Sequence, residues 1–211
     1  MRTKFKLSRI LILIIFLFFG YVLTNMFRTK RLTEKEKSII PYKPNQVLVF
    51  ESNKSEIDTI IITEITLKEH PPYMEDMLWA KNKEILRIQT DVDCKNCDEI
   101  ITLAKRNYSI ETEITWTIRI NGKNYVYGTN LKSINRLKKK KLTLNEIEYD
   151  DVLVLKRRER FKRPNNKLSK MFYDEIYPID KLYWSKSKGI MKFEIIETNE
   201  IWKLKTHYNT S

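Results

Sequence analysis

Residues 110–120 read IETEITWTIRI and are followed at once by Asn121-Gly122. Ile110, Thr112, Ile114, Trp116, Ile118 and Ile120 alternate with Glu111, Glu113, Thr115, Thr117 and Arg119. That is the period of two of a strand with one buried face. Asn-Gly is the pair that best accepts the two positive φ angles of a two-residue type I′ turn. The turn predicts the register, placing Ile118 opposite Tyr125 and Trp116 opposite Tyr127. Both tyrosines then share the apolar face, so pattern and turn chemistry agree on an antiparallel hairpin.

Other segments carry the same signature. Gln46–Phe50 is short and apolar, and Ile57–Leu67 is rich in β-branched residues, with a turn at Asn53-Lys54 between them. Val152–Leu155 (VLVL) reads as a strand buried on both sides, and residues 189–205 as a last hairpin turning near Thr198-Asn199. Helix signals are few: Tyr73–Lys81, Asp98–Arg106, and a turn or two near Lys167–Asp174. The expected fold is mainly β, an antiparallel sheet curved into a half-barrel or sandwich, behind one N-terminal transmembrane helix.

That helix is expected over Ile10–Phe27, eighteen uncharged positions, which as a helix span roughly 27 Å, close to the hydrocarbon thickness of a bilayer. A cleaved signal peptide is the alternative. The run exceeds the usual apolar stretch of such a peptide, and no small-x-small pair precedes Arg28. Four basic residues and an amino group resist translocation, which favours an inside N-terminus. The expected organisation is a cytoplasmic basic tail (1–9), the anchor (10–27), a charged linker with two prolines (28–45) and an extracytoplasmic β domain (46–211).

The formal net charge of +13 resembles a nucleic-acid signal until it is located. Residues 1–40 hold nine basic and two acidic side chains, and residues 132–163 hold twelve and five. The second cluster comprises two runs: Lys138, Lys139, Lys140 and Lys141, then KRRERFKR with Arg157, Arg158, Arg160 and Arg163. They flank a strand, so they are expected to converge at one end of the sheet. Either they form an anion-binding patch, or they are solvated loops that keep strand edges from pairing with other chains. Only Phe161 interleaves with the basic residues, which argues against nucleic acid as a partner.

Cys94-Lys95-Asn96-Cys97 is expected to form a structural disulfide closing a tight loop outside the cytoplasm, with free thiols, a redox pair or part of a metal site as the alternatives. The acidic Asp91, Asp93, Asp98 and Glu99 around it raise thiol pKa and oppose activation. A zinc site needs two more ligands, and His70 and His207 are poorly placed to supply them. Asp150-Asp151 and Asp174-Glu175 read as turn residues. Trp116, Tyr125, Tyr127, Tyr183, Trp184 and Trp202 either line a ligand cavity or form the core.

Tyr183-Trp184-Ser185-Lys186, followed by Gly189-Ile190 and Lys192-Phe193-Glu194, resembles the closing hairpin of small uncharacterised envelope proteins of Bacteroides-type bacteria. Tyr149-Asp150-Asp151-Val152-Leu153 resembles their preceding strand. The resemblance covers about the last third of the chain and implies an extracytoplasmic β domain, often anchored by lipid or helix. It carries over no catalytic residue and no ligand.

The sequence therefore leads to the expectation of a non-catalytic, membrane-anchored envelope protein with a binding or scaffolding domain and no cofactor. One alternative is a thiol-disulfide protein using Cys94 and Cys97. Another is a basic module for anionic lipid or polysaccharide. The expected partners are the lipid bilayer and an anionic lipid, a polysaccharide or another envelope protein.

Overall fold

The structure is a computed structural model that describes residues 12–21, 23–24, 29–70, 82–90, 99–105, 111–157 and 176–209. The domain is one thirteen-stranded sheet. Its strands are β1 (Thr29–Lys30), β2 (Gln46–Ser52), β3 (Ile57–His70), β4 (Asn82–Thr90), β5 (Glu99–Lys105), β6 (Thr112–Ile120), β7 (Lys123–Asn130), β8 (Lys140–Leu144), β9 (Ile147–Lys156), β10 (Ile176–Pro178), β11 (Lys181–Ser185), β12 (Gly189–Ile195) and β13 (Glu200–Asn209). Two short helices, α1 (Glu34–Lys37) and α2 (Leu131–Asn135), complete the described elements of the domain. The pairing order is β10-β7-β6-β5-β4-β3-β2-β13-β12-β11-β9-β8, with β1 added in parallel to β4. All other pairs are antiparallel except β10 with β7. The mainly β, antiparallel expectation holds.

The β6–β7 hairpin has the register that its turn dictates. Ile118 pairs with Tyr125 and Trp116 with Tyr127. Asn121 and Gly122 sit at φ 48° and 74°, both in the left-handed region that a type I′ turn needs. On β6 every second residue from Thr112 to Ile120 is buried.

The helix expected over Asp98–Arg106 is instead β5 in its described part, Glu99–Lys105. Ile101 and Leu103 pair with Ile88 and Leu86 on one side and with Trp116 and Ile114 on the other. Two strand partners outweigh a weak helical preference in Ile100-Ile101-Thr102, which are themselves β-branched. The expected helix at Tyr73–Lys81 and the turn at Lys167–Asp174 lie outside the described residues.

The sheet rolls over so that β6–β7 face β11–β13. Trp116 meets Trp184 at 5.4 Å between ring centroids, and Tyr125 meets Phe193 at 5.5 Å. Trp116, Trp184, Trp202 and Tyr125 are 0–1% exposed. The aromatic face is thus a packed core. Tyr183 is the exception, half-buried on the outer face with the Lys192 ammonium 4.8 Å from its ring.

The segment expected to be a linker belongs to the fold in its described part, 29–45. Leu32, Ile39 and Tyr42 are buried in the core. α1 opens on a capping box in which the Thr33 hydroxyl accepts from Glu36 N–H while the Glu36 carboxylate accepts from Thr33 N–H. Glu36 also binds Lys105 and Thr112, tying the arm to the β5–β6 hairpin. Leu32 N–H donates to Glu84 at 2.7 Å. Tyr42 packs edge-on against Trp184, and its hydroxyl accepts from Ile190 N–H at 2.8 Å. Three apolar side chains bury readily here because the charged ones between them point outward or find carboxylate and ammonium partners.

At the other end of the sheet Glu200 has a side chain only 3% exposed. It accepts from Tyr125 Oη at 2.5 Å and Lys123 Nζ at 2.7 Å, with Lys54 Nζ at 3.4 Å. Burial alone would raise its pKa, but these donors hold it at about 2. Glu36, held by Lys105 and Thr112, and Glu194, held by Lys181 and Lys192, are half-buried and likewise brought down to about 2, their hydrogen bonds outweighing the upward push of burial. A depressed carboxyl pKa stabilises the fold above the unfolded value and loses that contribution as pH falls through the folded value. The urea midpoint should therefore decline from about pH 4.5 toward pH 2, and Glu200→Gln should make that decline shallower. An unchanged slope in the variant would remove Glu200 from the account.

Candidate functional site

The rolled sheet leaves a seam. β10 covers β7 only from Asn124 to Val126, so Tyr127–Asn130 have no strand partner on that side among the described residues. Across the gap lies the end of β9, and the two sides are bridged where Tyr127 Oη donates to Lys156 O at 3.1 Å. Ile179 N–H donates to Val126 O at 2.9 Å and Arg157 N–H to Asp180 O at 2.8 Å, so the residues between β10 and β11 stitch β7 to β9. Above the stitch the seam opens into a cleft of about 660 Å³.

α2 closes one end of the cleft. Asn130 caps it, accepting from Ser133 N–H at 2.7 Å, while Leu131 and Ile134 anchor it in the core. The cleft has an apolar floor that includes Leu155 and Ile179, and a rim that includes Thr129, Arg136, Lys156 and Arg157. Such a site suits a ligand with an apolar body and a negative group. Asp180 already engages Arg157, at 3.6 Å. Arg136 and Lys156 form no ion pair with any described residue.

The two basic runs meet in their described parts. β8 and β9 are antiparallel with Lys140 opposite Val152, four residues before the Lys156 that opens the second run. Lys140, Lys141, Lys156 and Lys181 line a second, smaller groove of about 250 Å³ on the outer face. Lys141 pairs with Glu148 and Lys181 with Glu194, each at 2.7 Å. Lys138 and Lys139 are exposed just before β8. Arg158, Arg160 and Arg163 lie outside the described residues, as do Cys94 and Cys97, so the readings that rest on them stay with the sequence.

Asp151, expected in a turn, lies within β9. Its carboxylate accepts from the Ser185 hydroxyl at 2.8 Å and from Ser187 N–H at 3.0 Å, clamping the β11–β12 turn. Burial pushes its pKa up, but these hydrogen bonds outweigh that and leave it below the usual carboxylate value. Asp174 and Glu175 lie outside the described residues. Among the described residues no group of three His, Cys, Asp or Glu side chains converges in a way that could hold a metal ion.

Sequence reasoning missed the cleft because it is made by long-range packing of β7, α2 and β9. Its one local signal was Asn130 before LKSIN, a helix cap directly after a strand.

The described N-terminal residues 12–21 and 23–24 are helical. Their large apolar side chains are 47–73% exposed. No helix among the described residues is long and apolar enough to cross a membrane. No family model, no curated protein and no solved structure matches this chain.

Proposed function

We propose that the chain is a non-catalytic envelope protein, held to a membrane by its N-terminal apolar segment, whose β domain binds or scaffolds a partner close to the bilayer surface. The observation that carries this reading is the helical apolar segment whose described large apolar side chains are 47–73% exposed. Buried in acyl chains instead, the uncharged run 10–27 has the length of a spanning helix. Leu32 is the first buried core residue among those described, so a domain tethered in this way sits close to the surface. The seam cleft is the proposed binding site, and its cationic rim favours an anionic group on the partner.

Flotation tests the tether. Full-length protein should float with zwitterionic vesicles at high salt and resist alkaline extraction. Replacing Phe16, Leu17 and Phe18 with Asp should release it to the soluble fraction. Protein that stays at the bottom of the gradient would defeat the reading.

A further inference from the structure

The end of the sheet at which the chain enters carries, among the described residues, a run of cations with no ion pair to another described residue. A row of paired residues, Lys68–Ile85–Ala104–Glu113–Asn130, crosses β3, β4, β5, β6 and β7. β1 joins this end of the sheet at Asn82 and Lys83, three to two residues beyond Ile85 on β4. α2 begins at the other end of the row, directly after Asn130. Three strand spacings separate β4 from β7, about 14 Å. The arm that follows the apolar segment and the α2–β8 connection therefore lie at one end of the sheet.

That connection presents Lys132, Arg136, Lys138, Lys139 and Lys140, all exposed. None forms an ion pair with a described residue. The described carboxylates at the same end are already engaged. Glu34 and Glu84 pair with Lys37, and Glu36 with Lys105. Glu69, Glu111 and Glu113 have partners as well. At the opposite end the pattern reverses, with Lys54 and Lys123 both drawn to Glu200.

The geometry points to the α2–β8 connection as a docking surface for the anionic headgroups of the membrane that holds the chain. This inference rests on the proposed tether. A segment entering the domain at β1 brings this end of the sheet toward the bilayer, and a negative surface potential acts on cations within about a Debye length, roughly 8–10 Å. Five cations without a carboxylate partner among the described residues give up no pair with those residues when they meet lipid phosphates. The surface then fixes the tilt of the domain, which a tether alone leaves free.

Full-length protein reconstituted in vesicles tests this by amine-reactive footprinting. Vesicles of phosphatidylcholine alone are compared with vesicles containing about one third phosphatidylserine or phosphatidylglycerol. Lys132, Lys138, Lys139 and Lys140 should label several-fold more slowly on the anionic vesicles, by roughly fivefold for a cation held at the surface. The difference should vanish in high salt, while Lys54 at the far end labels equally on both. Soluble glycerol phosphate at matched concentration should give no protection. Equal labelling on the two vesicle types, or protection that salt does not relieve, overturns the docking surface while leaving the tether intact. Protein that floats with neither vesicle type overturns the tether. Protein that floats with anionic vesicles alone overturns the tether, and with it the argument that orients this end of the sheet toward the bilayer. Lys138→Gln, Lys139→Gln and Lys140→Gln together, at exposed positions outside the core, should equalise Lys132 labelling between the two vesicle types.

Discussion

Trp184→Ala is expected to destabilise the domain by about 3–5 kcal/mol, enough to leave little native protein at moderate urea. Trp184 is fully buried and is the hub between the two halves of the rolled sheet. Its ring meets Trp116 at 5.4 Å and Tyr42 at 5.9 Å, so truncation opens a void bounded by β6, β11 and the arm. Its indole N–H finds no hydrogen-bond partner among the described residues. Trp184→Phe keeps most of the aromatic area and gives up no hydrogen bond, so its cost should be clearly smaller, about 1–2 kcal/mol. Urea denaturation followed by circular dichroism measures both. A cost below about 1 kcal/mol for the alanine variant would mean that the aromatic face encloses adaptable space.

Gly189→Ala should cost nearly as much, about 2–4 kcal/mol, although it adds a single methyl group. Gly189 has φ +87°, where a side chain is strained, and a methyl built there would overlap the Tyr42 hydroxyl and ring. Tyr42 must then leave its place, losing the hydrogen bond from Ile190 N–H and its contact with Trp184. The arm loses its innermost anchor. In a Tyr42→Ala background the same glycine substitution should cost only the backbone strain, about 1 kcal/mol, and the difference is the coupling energy. Additive costs would show that the overlap is relieved elsewhere.

What the sequence made legible was local. The β6–β7 hairpin was readable because alternation and Asn121-Gly122 lie within eighteen residues and specify the same register. Val152–Leu155 was readable as a continuous apolar run, and residues 189–205 as a hairpin about Thr198-Asn199. The arm was misread because Leu32, Ile39 and Tyr42 are scattered among eight charged or polar neighbours, and nothing nearby says what they pack against. Its capping box, Thr33 with Glu36, was a visible helix start that composition overshadowed. β5 was misread because its strand state comes from neighbours on both sides. Of the candidate site, the sequence showed the basic runs flanking a strand. It could not show the seam, where Tyr127 of β7 reaches Lys156 of β9 across the roll, since no local pattern encodes where an open sheet stops closing.

The pairing of β2 with β13 sets the order of events during synthesis. Gln46 lies opposite Asn209 and Ser52 opposite Trp202 in the middle of the sheet, so the central pair joins residues about 150 positions apart. β2 is synthesised early in the domain, yet it waits for nearly all of the domain before its partner β13 exists. Until β13 arrives, β2 pairs on one side only and its other edge is a ready template for foreign strands. Closing so long a loop is slow. Completion of β13 is therefore the event that closes the centre of the sheet and removes the exposed edge of β2.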